Sequence, residues 1–363
     1  MSNKLVIKTL LFQTLLSTVL KGASSDKIRM ITDLLHIKLN NGELKLTVTD
    51  GNNYVVVSQK GIEGEDFDLV VAYELFSKLI MKCTSEYISL VPNEEFLEVV
   101  ADGSYKINLP ADVTGEDYPD PQMKDSDISK ELILDPLVMK KVINANTKAL
   151  ATTLEEPAMT GYYFDEDKVI STNGLLATFY SIKTLDTKLL ISPKFLNLFS
   201  LFTDKEMKIQ ICGSDIEASC GNITIYGKAM PEISDYPINE VNSILGTEYL
   251  STCQINKNKL LSTIERLALF VESYEQNSVY INFKKSSMIV RSRSGNTATE
   301  ELTYEKSIDN FNDEWEGLMD VNFILDQLNS NPSEVVNISF GHPAFIKIEG
   351  GNLIQLVSLT QEV

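Results

Sequence analysis

The stretch 167–181, DKVISTNGLLATFYS, followed after a short connection by 188–202, KLLISPKFLNLFSLF, decides how this chain is read. Apolar residues alternate on either side of Thr172-Asn173-Gly174, and Asn-Gly offers the positive φ of a tight turn, which predicts a β-hairpin. Ser192-Pro193 fits an N-cap and first helical position. Phe195, Leu196, Leu198, Phe199 and Phe202 then recur at helical period.

The same unit occurs three times. GELKLTVTDGNNYVVVS (42–58) puts Thr49-Asp50-Gly51 at the turn, and VVAYELFSKLI (70–80) supplies the helix. SMIVRSRSGNTATEEL (287–302) puts Arg293-Ser294-Gly295 there, and MDVNFILDQL (319–328) supplies the helix. The turn glycines lie 123 and 121 residues apart, too far for a solenoid of about 20 to 50 residues per repeat. Whole domains are repeated.

Each unit opens with another helix: 9–23, 135–151 (with Pro136 just inside Asp135) and 254–272. Each closes with a meander, 88–110, 208–229 and 335–359, turning at Asp102-Gly103, Gly221-Asn222 and Gly350-Gly351-Asn352. The order helix, strands, helix, strands predicts an α+β fold, with two helices per repeat packed on antiparallel sheets. Acidic, Pro-containing segments at 112–129 and 230–247 both carry Asp-Tyr-Pro. They set the expected domain boundaries: 1–126, 127–246 and 247–363.

Composition narrows the function. The chain of 363 residues is 43% hydrophobic, has no apolar run long enough to span a bilayer, and lacks a signal peptide's apolar block; we expect a soluble, cytoplasmic protein. Cys83, Cys212, Cys220 and Cys253 have no CxxC spacing, and His36 and His342 fall in different repeats, so neither a zinc site nor a histidine triad is expected, nor any cofactor. The 51 carboxylates sit in linkers and on charged faces, the pattern of solvated acids and not of a catalytic pair.

The net charge of −19 is unevenly distributed. Residues 1–32 carry +4 (Lys4, Lys8, Lys21, Lys27 and Arg29 against Asp26), residues 137–151 carry +3 (Lys140, Lys141, Lys148), and residues 253–267 carry +2 (Lys257, Lys259 and Arg266 against Glu265). These segments total +9 and the remainder −28. One lysine-bearing helix is an ordinary solvated face; three at equivalent places predict a shared surface for one anionic partner, with DNA phosphates the natural fit.

Three tandem repeats of this length, the Thr-Asp/Asn-Gly turns and Asp-Tyr-Pro in the linker resemble the bacterial sliding clamp, the β subunit of DNA polymerase III. The resemblance covers nearly the whole chain, and its residue-level divergence points to a clamp carried by a phage or another mobile element. It implies three DNA-clamp domains per chain, two chains closed head to tail into a ring, basic helices facing double-stranded DNA, and no catalysis. The implied pore residues are Lys8, Lys21, Lys27, Arg29, Lys140, Lys141, Lys148, Lys257, Lys259 and Arg266. The implied partner pocket, between the second and third domains, accepts short peptides with a Gln and apolar anchors from the replicative polymerase and the clamp loader. It maps onto Met159, Thr172, Gly174, Leu175, Leu176, Ala177, Ser234, Pro237, Ile238, Phe323, Leu356, Ser358 and Leu359. The family's Asp-Gly-His-Arg reads Asn173-Gly174-Leu175-Leu176 here, a greasier and less basic site; Leu175 and Leu176 either line it or pack the domain junction. The implied homodimer contact joins Tyr105 and Ile107 to Leu269 and Phe270, with one of the last two expected in its own domain's core. The rival expectation is a non-catalytic scaffold, or an antagonist of a host clamp, that keeps the fold without encircling DNA.

Overall fold

The computed structural model describes residues 4–23, 30–123, 128–183, 186–203, 206–271, 277–293, 297–308 and 311–361. The first repeat runs β1 (Leu5–Lys8), α1 (Thr9–Val19), β2 (Leu34–Asn40), β3 (Glu43–Thr49), β4 (Tyr54–Lys60), β5 (Phe67–Ala72), α2 (Tyr73–Ile80), β6 (Tyr87–Pro92), β7 (Phe96–Val100) and β8 (Ser104–Asn108). The second runs β9 (Lys130–Leu134), α3 (Pro136–Asn146), β10 (Tyr162–Phe164), β11 (Lys168–Thr172), β12 (Leu176–Ser181), β13 (Leu189–Ile191), α4 (Pro193–Asn197), β14 (Met207–Cys212), β15 (Asp215–Cys220) and β16 (Ile223–Lys228). After α5 (Ile238–Leu245) the third runs β17 (Ser251–Asn256), α6 (Lys257–Ala268), β18 (Ser278–Phe283), β19 (Ser287–Ser292), β20 (Thr299–Thr303), β21 (Trp315–Asp320), α7 (Val321–Ser330), β22 (Val335–Phe340), β23 (Phe345–Gly350) and β24 (Leu353–Ser358).

Every repeat is thus strand, helix, four strands, helix, three strands. The helix-first reading missed the leading strand: Gln254 and Ile255 are extended in β17, not the first turn of a helix. These leading strands are four to six residues long, too short for alternation to stand out beside the helical pattern that follows. The second linker also folds, into a 3-10 turn (Pro231–Asp235) and α5.

Thr-Asp/Asn-Gly closes two hairpins by the same bonds. Asp50 Oδ1 accepts from the backbone N–H of Asn52 (2.9 Å) and Asn53 (2.7 Å), and Asn173 Oδ1 accepts from those of Leu175 (3.0 Å) and Leu176 (2.8 Å). The hydroxyls of Thr49 and Thr172 donate to the Asn53 and Leu176 carbonyls at 2.7 and 2.8 Å. Positive φ falls on Gly51 (93°) and Gly174 (85°), not on the residue before, so the loop is wider than a two-residue Asn-Gly turn. The third turn, at Ser294 and Gly295, lies outside the described residues.

Asp50 carries an additional load. Its side chain is 4% exposed and accepts from Lys194 Nζ on α4 at 2.9 Å. Burial alone would raise this carboxyl, but the Asn53 and Asn52 amides and Lys194 hold it below its usual value. A depressed carboxyl stabilises the fold above the unfolded-state value and loses that contribution as pH falls through the folded-state value. Thermal unfolding of Asp50→Asn is therefore expected to depend less on pH below about 4 than that of the parent. Asp50→Ala, which also strips the amide bonds, is expected to cost about 2 to 4 kcal/mol at neutral pH. Parallel melting curves across the acid range for parent and Asp50→Asn would remove Asp50 from this role.

The chain forms two compact units, 1–138 with 194–229 and 139–193 with 230–363, so the second repeat is divided between them. Hydrogen-bonded sheets explain the division. In the first unit one sheet runs β5-β2-β3-β4-β16-β15-β14-β9, half from each of two repeats, beside a smaller sheet β1-β6-β7-β8. In the second unit the large sheet is β13-β10-β11-β12-β24-β23-β22-β17, beside β20-β19-β18-β21. The seam strands pair antiparallel, β4 with β16 (Tyr54 opposite Tyr226) and β12 with β24 (Ala177 opposite Leu356). In the first unit α1 packs Phe12, Leu15, Leu16 and Val19 inward, and in the second α6 packs Leu260, Ile264 and Leu267.

Candidate functional site

A cleft of about 140 Å³ opens in the second unit beside the β12–β24 seam. Thr172, Gly174, Leu176 and Ala177 come from the β11–β12 hairpin, Leu356 from β24 and Phe345 from β23. Pro237, Glu240, Val241 and Ile244 come from α5 and the residue before it. Spacings of three and four along α5 put these on one helix face. Beneath lies an apolar cluster containing Tyr163, Ala177, Val241 and Leu356, with Tyr163 and Tyr236 stacked at 4.7 Å. The Thr172 hydroxyl is spent inside the turn, so the walls offer shape and apolar surface, with Glu240 the one charged side chain. At the hairpin nothing stands within 4 Å of where a Gly174 side chain would project, which leaves that lip open.

Six of the thirteen expected pocket residues line this cleft: Thr172, Gly174, Leu176, Ala177, Pro237 and Leu356. Leu176 is 2% exposed, packs in the third-repeat core and borders the cleft; Leu175 is 50% exposed at the turn and is not in the lining. Met159, Ser234, Ile238, Phe323, Ser358 and Leu359 are also absent from the lining. Ile238 packs into the cluster beneath, and Phe323 and Leu359 pack against the third-repeat core. Glu240, Val241, Ile244 and Phe345 were missed. The 3.6-residue period of PINEVNSIL was the available signal for three of them, masked by treating that segment as a linker.

The cations need one correction. α1 contains no charged residue; its basic side chains flank it, at Lys8 and Lys21, while Lys27 and Arg29 lie outside the described residues. Lys8, Lys21, Lys140, Lys141 and Lys259 are exposed and make no ion pair among the described residues. Three others are engaged by the chain itself. Lys148 pairs with Asp326 at 2.9 Å, Lys257 donates to the Asn331 carbonyl at 2.6 Å, and Arg266 forks onto Glu300 at 2.6 and 2.7 Å. Lys194, paired with Asp50, shares a hollow of about 250 Å³ with Lys21.

The expectation that Leu269 or Phe270 lies in its own domain's core is corrected too. Ile107 is 4% exposed and belongs to the core of its own sheet, whereas Tyr105 is 38% exposed on the edge strand β8. Because α6 ends at Ala268, Leu269 (82% exposed) and Phe270 (38%) both lie beyond its last turn and neither is core.

No described helix is long and apolar enough to cross a membrane, and no group of three potential metal ligands occurs among the described residues.

Three repeats of this topology, joined by shared eight-stranded sheets with an apolar cleft at a seam, define a protein of the sliding-clamp fold. The solved DNA polymerase sliding clamp of Bacillus subtilis superposes with a TM-score of 0.88 at 16% identity over 100% of both chains. The DNA polymerase III beta chain of Streptococcus pneumoniae gives 0.85 at 18% identity over 99% of this chain and 100% of that one. By sequence, the beta sliding clamp of Streptococcus pneumoniae is 23% identical over 359 residues, 91% of this chain and 90% of its own length. No family model matches. The chain thus has the sliding-clamp fold and is similar to beta sliding clamps over nearly its whole length.

Proposed function

We propose that this protein is a non-catalytic DNA sliding clamp that encircles duplex DNA as a head-to-tail homodimer and tethers a replicative polymerase. The three repeats, 1–126, 127–246 and 247–363, are its clamp domains. The observation that carries this is a pair of unmatched edges. The second strand of a repeat's central hairpin pairs with the last strand of the next repeat twice, β4 with β16 and β12 with β24. The same rule leaves β20 of the third repeat and β8 of the first, each at the end of its sheet. Two open edges on one chain invite pairing with another, and a second copy offers both complements. Two such junctions close a ring.

Once a ring is closed, escape needs a junction to open, so contact with DNA can stay weak and independent of sequence. Lys8, Lys21, Lys140, Lys141 and Lys259 suit that role, since unengaged lysines can exchange phosphates as the ring moves. The acidic remainder of the chain repels DNA elsewhere. Clamp-loader and polymerase segments dock through apolar anchors in the β12–β24 cleft. Such a protein works in the cytoplasm.

Mass in solution tests the closure. A dimer of two 40.6 kDa chains is expected at all concentrations above the nanomolar range, and Tyr105→Asp on the β8 edge is expected to yield monomers. A parent protein that is already a stable monomer favours a clamp-like scaffold or antagonist that does not encircle DNA.

A further inference from the structure

The β4–β16 seam of the first unit carries a cleft of its own, of about 300 Å³, which shares several structural positions with the β12–β24 cleft. Tyr54 and Tyr226, opposite each other across the seam, stand where Ala177 and Leu356 do. Asp215 heads β15 as Phe345 heads β23. Gln122 and Met123 follow Asp117-Tyr118-Pro119 at the spacing at which Glu240 and Val241 follow Asp235-Tyr236-Pro237. The Tyr of each linker motif is buried against an aromatic of its own sheet: Tyr118 against His36 at 5.0 Å, Tyr236 against Tyr163 at 4.7 Å. The scaffold is similar while the lining changes from largely aliphatic to phenolic and polar, with Asp215 and Lys228 the charged pair.

We propose that this first-seam cleft is a second peptide-docking site, which takes a short extended segment presenting an arginine next to an apolar side chain. Charge complementarity selects the arginine. The Tyr226 hydroxyl donates to Glu217 and lies in the field of Asp120, with Asp215 on the same wall. Of these three carboxylates Asp215 lines the cleft and Glu217 and Asp120 lie behind it, against two lysines, Lys45 on Asp120 at 2.5 Å and Lys228 on Asp215 at 3.1 Å. Lys228 is 71% exposed, so its pairing is weak and an incoming guanidinium can replace it with a planar fork. The faces of Tyr54 and Tyr226 provide stacking surface for that group, as Tyr280 does for Arg291 at 3.8 Å in the same chain. The volume sits at the small end of ligand clefts, about 300 to 1,000 Å³, room for an anchor pair and not for a folded domain. The two seams would then read different peptides, Gln with apolar anchors at the second and Arg with an apolar anchor at the first, and a ring could hold two kinds of partner at once.

The inference takes its ligand class, a short peptide, from the reading of the β12–β24 cleft, but its test does not depend on that cleft. Cys212 lines the first-seam cleft and is half-buried, whereas Cys83, Cys220 and Cys253 are buried. Labelling of the native full chain by a maleimide therefore reports occupancy. The probe is the acetylated, amidated peptide Gly-Ser-Leu-Arg-Phe-Ser-Gly. At saturation it is expected to slow Cys212 labelling at least tenfold, the same peptide with Glu for Arg less than twofold, and Asp215→Lys, at a half-buried position, is expected to remove the protection. Protection must persist in Ile244→Glu, which blocks only the second-seam cleft. Absence of protection, equal protection by the Glu peptide, survival in Asp215→Lys, or loss in Ile244→Glu each overturns the proposal.

Discussion

Placed on nicked circular DNA by a clamp loader with ATP, this protein is expected to remain bound through a salt wash that removes ordinary phosphate contacts, and to leave within seconds when the circle is cut. The two halves have different physical origins. Contacts from a handful of lysines weaken by orders of magnitude between low and moderate salt as counterions compete, so they cannot explain retention through the wash. A closed ring can, because dissociation then waits for a junction to open and not for ion pairs to exchange. Cutting the circle removes only the topological barrier and leaves every contact intact. Retention that ignores the cut would mean grip and not enclosure. The companion variant reverses Lys140, Lys141 and Lys259 to Glu, three exposed side chains with no ion pair among the described residues. It is expected to load at least tenfold fewer rings while remaining dimeric. Lys148 and Arg266 are poor choices for this test, because Asp326 and Glu300 already engage them and reversal would disturb the fold as well as the surface.

The second large effect is expected at the β12–β24 cleft. Ile244→Glu should weaken binding of a Gln-containing, apolar polymerase-type peptide about a hundredfold, equivalent to about 2.7 kcal/mol. Ile244 is half-buried on α5 and faces the cleft beside Glu240. A second carboxylate there either stays solvated and blocks the apolar anchor or is desolvated by it, and both outcomes cost binding. Leu176 is the worse probe, although it borders the same space. It is 2% exposed and belongs to the third-repeat core, so a charge there would unfold its surroundings and lose binding for an uninformative reason. Peptide titration of Ile244→Glu, with its melting temperature checked against the parent, reads the cleft alone. Undiminished affinity in a folded variant would move the docking site elsewhere.

Much of the candidate site was legible because it rests on local rules. The Thr172-Asn173-Gly174 turn declares itself by residues that bond their own backbone, and Leu176, Ala177 and Leu356 follow from strand alternation around it. Glu240, Val241 and Ile244 were hidden because Pro, Ser and Asn make 230–247 read as a connector, although a helix starting directly after Pro237 is compatible with the same letters. Phe345 was hidden for another reason: nothing in the order of residues says that β23 lies next to β24's cleft-facing side.

The sequence by itself determined the hairpins and the apolar faces of α1 and α6, which are periodicities or local bonds within about twenty residues, and the threefold repetition and the cations at equivalent positions, which are the same local patterns recurring about 120 residues apart. Only the tertiary structure decided which strands meet across the seams, that the second repeat is shared between two compact units, that both seams carry a cleft, and that Arg266, Lys148 and Lys257 are already engaged. The seam pairings join residues more than 170 positions apart, as at Tyr54 and Tyr226 or Leu176 and Val357. Backbone hydrogen bonding is indifferent to side-chain identity, so the letters of an edge strand record that it can pair and not which partner it finds.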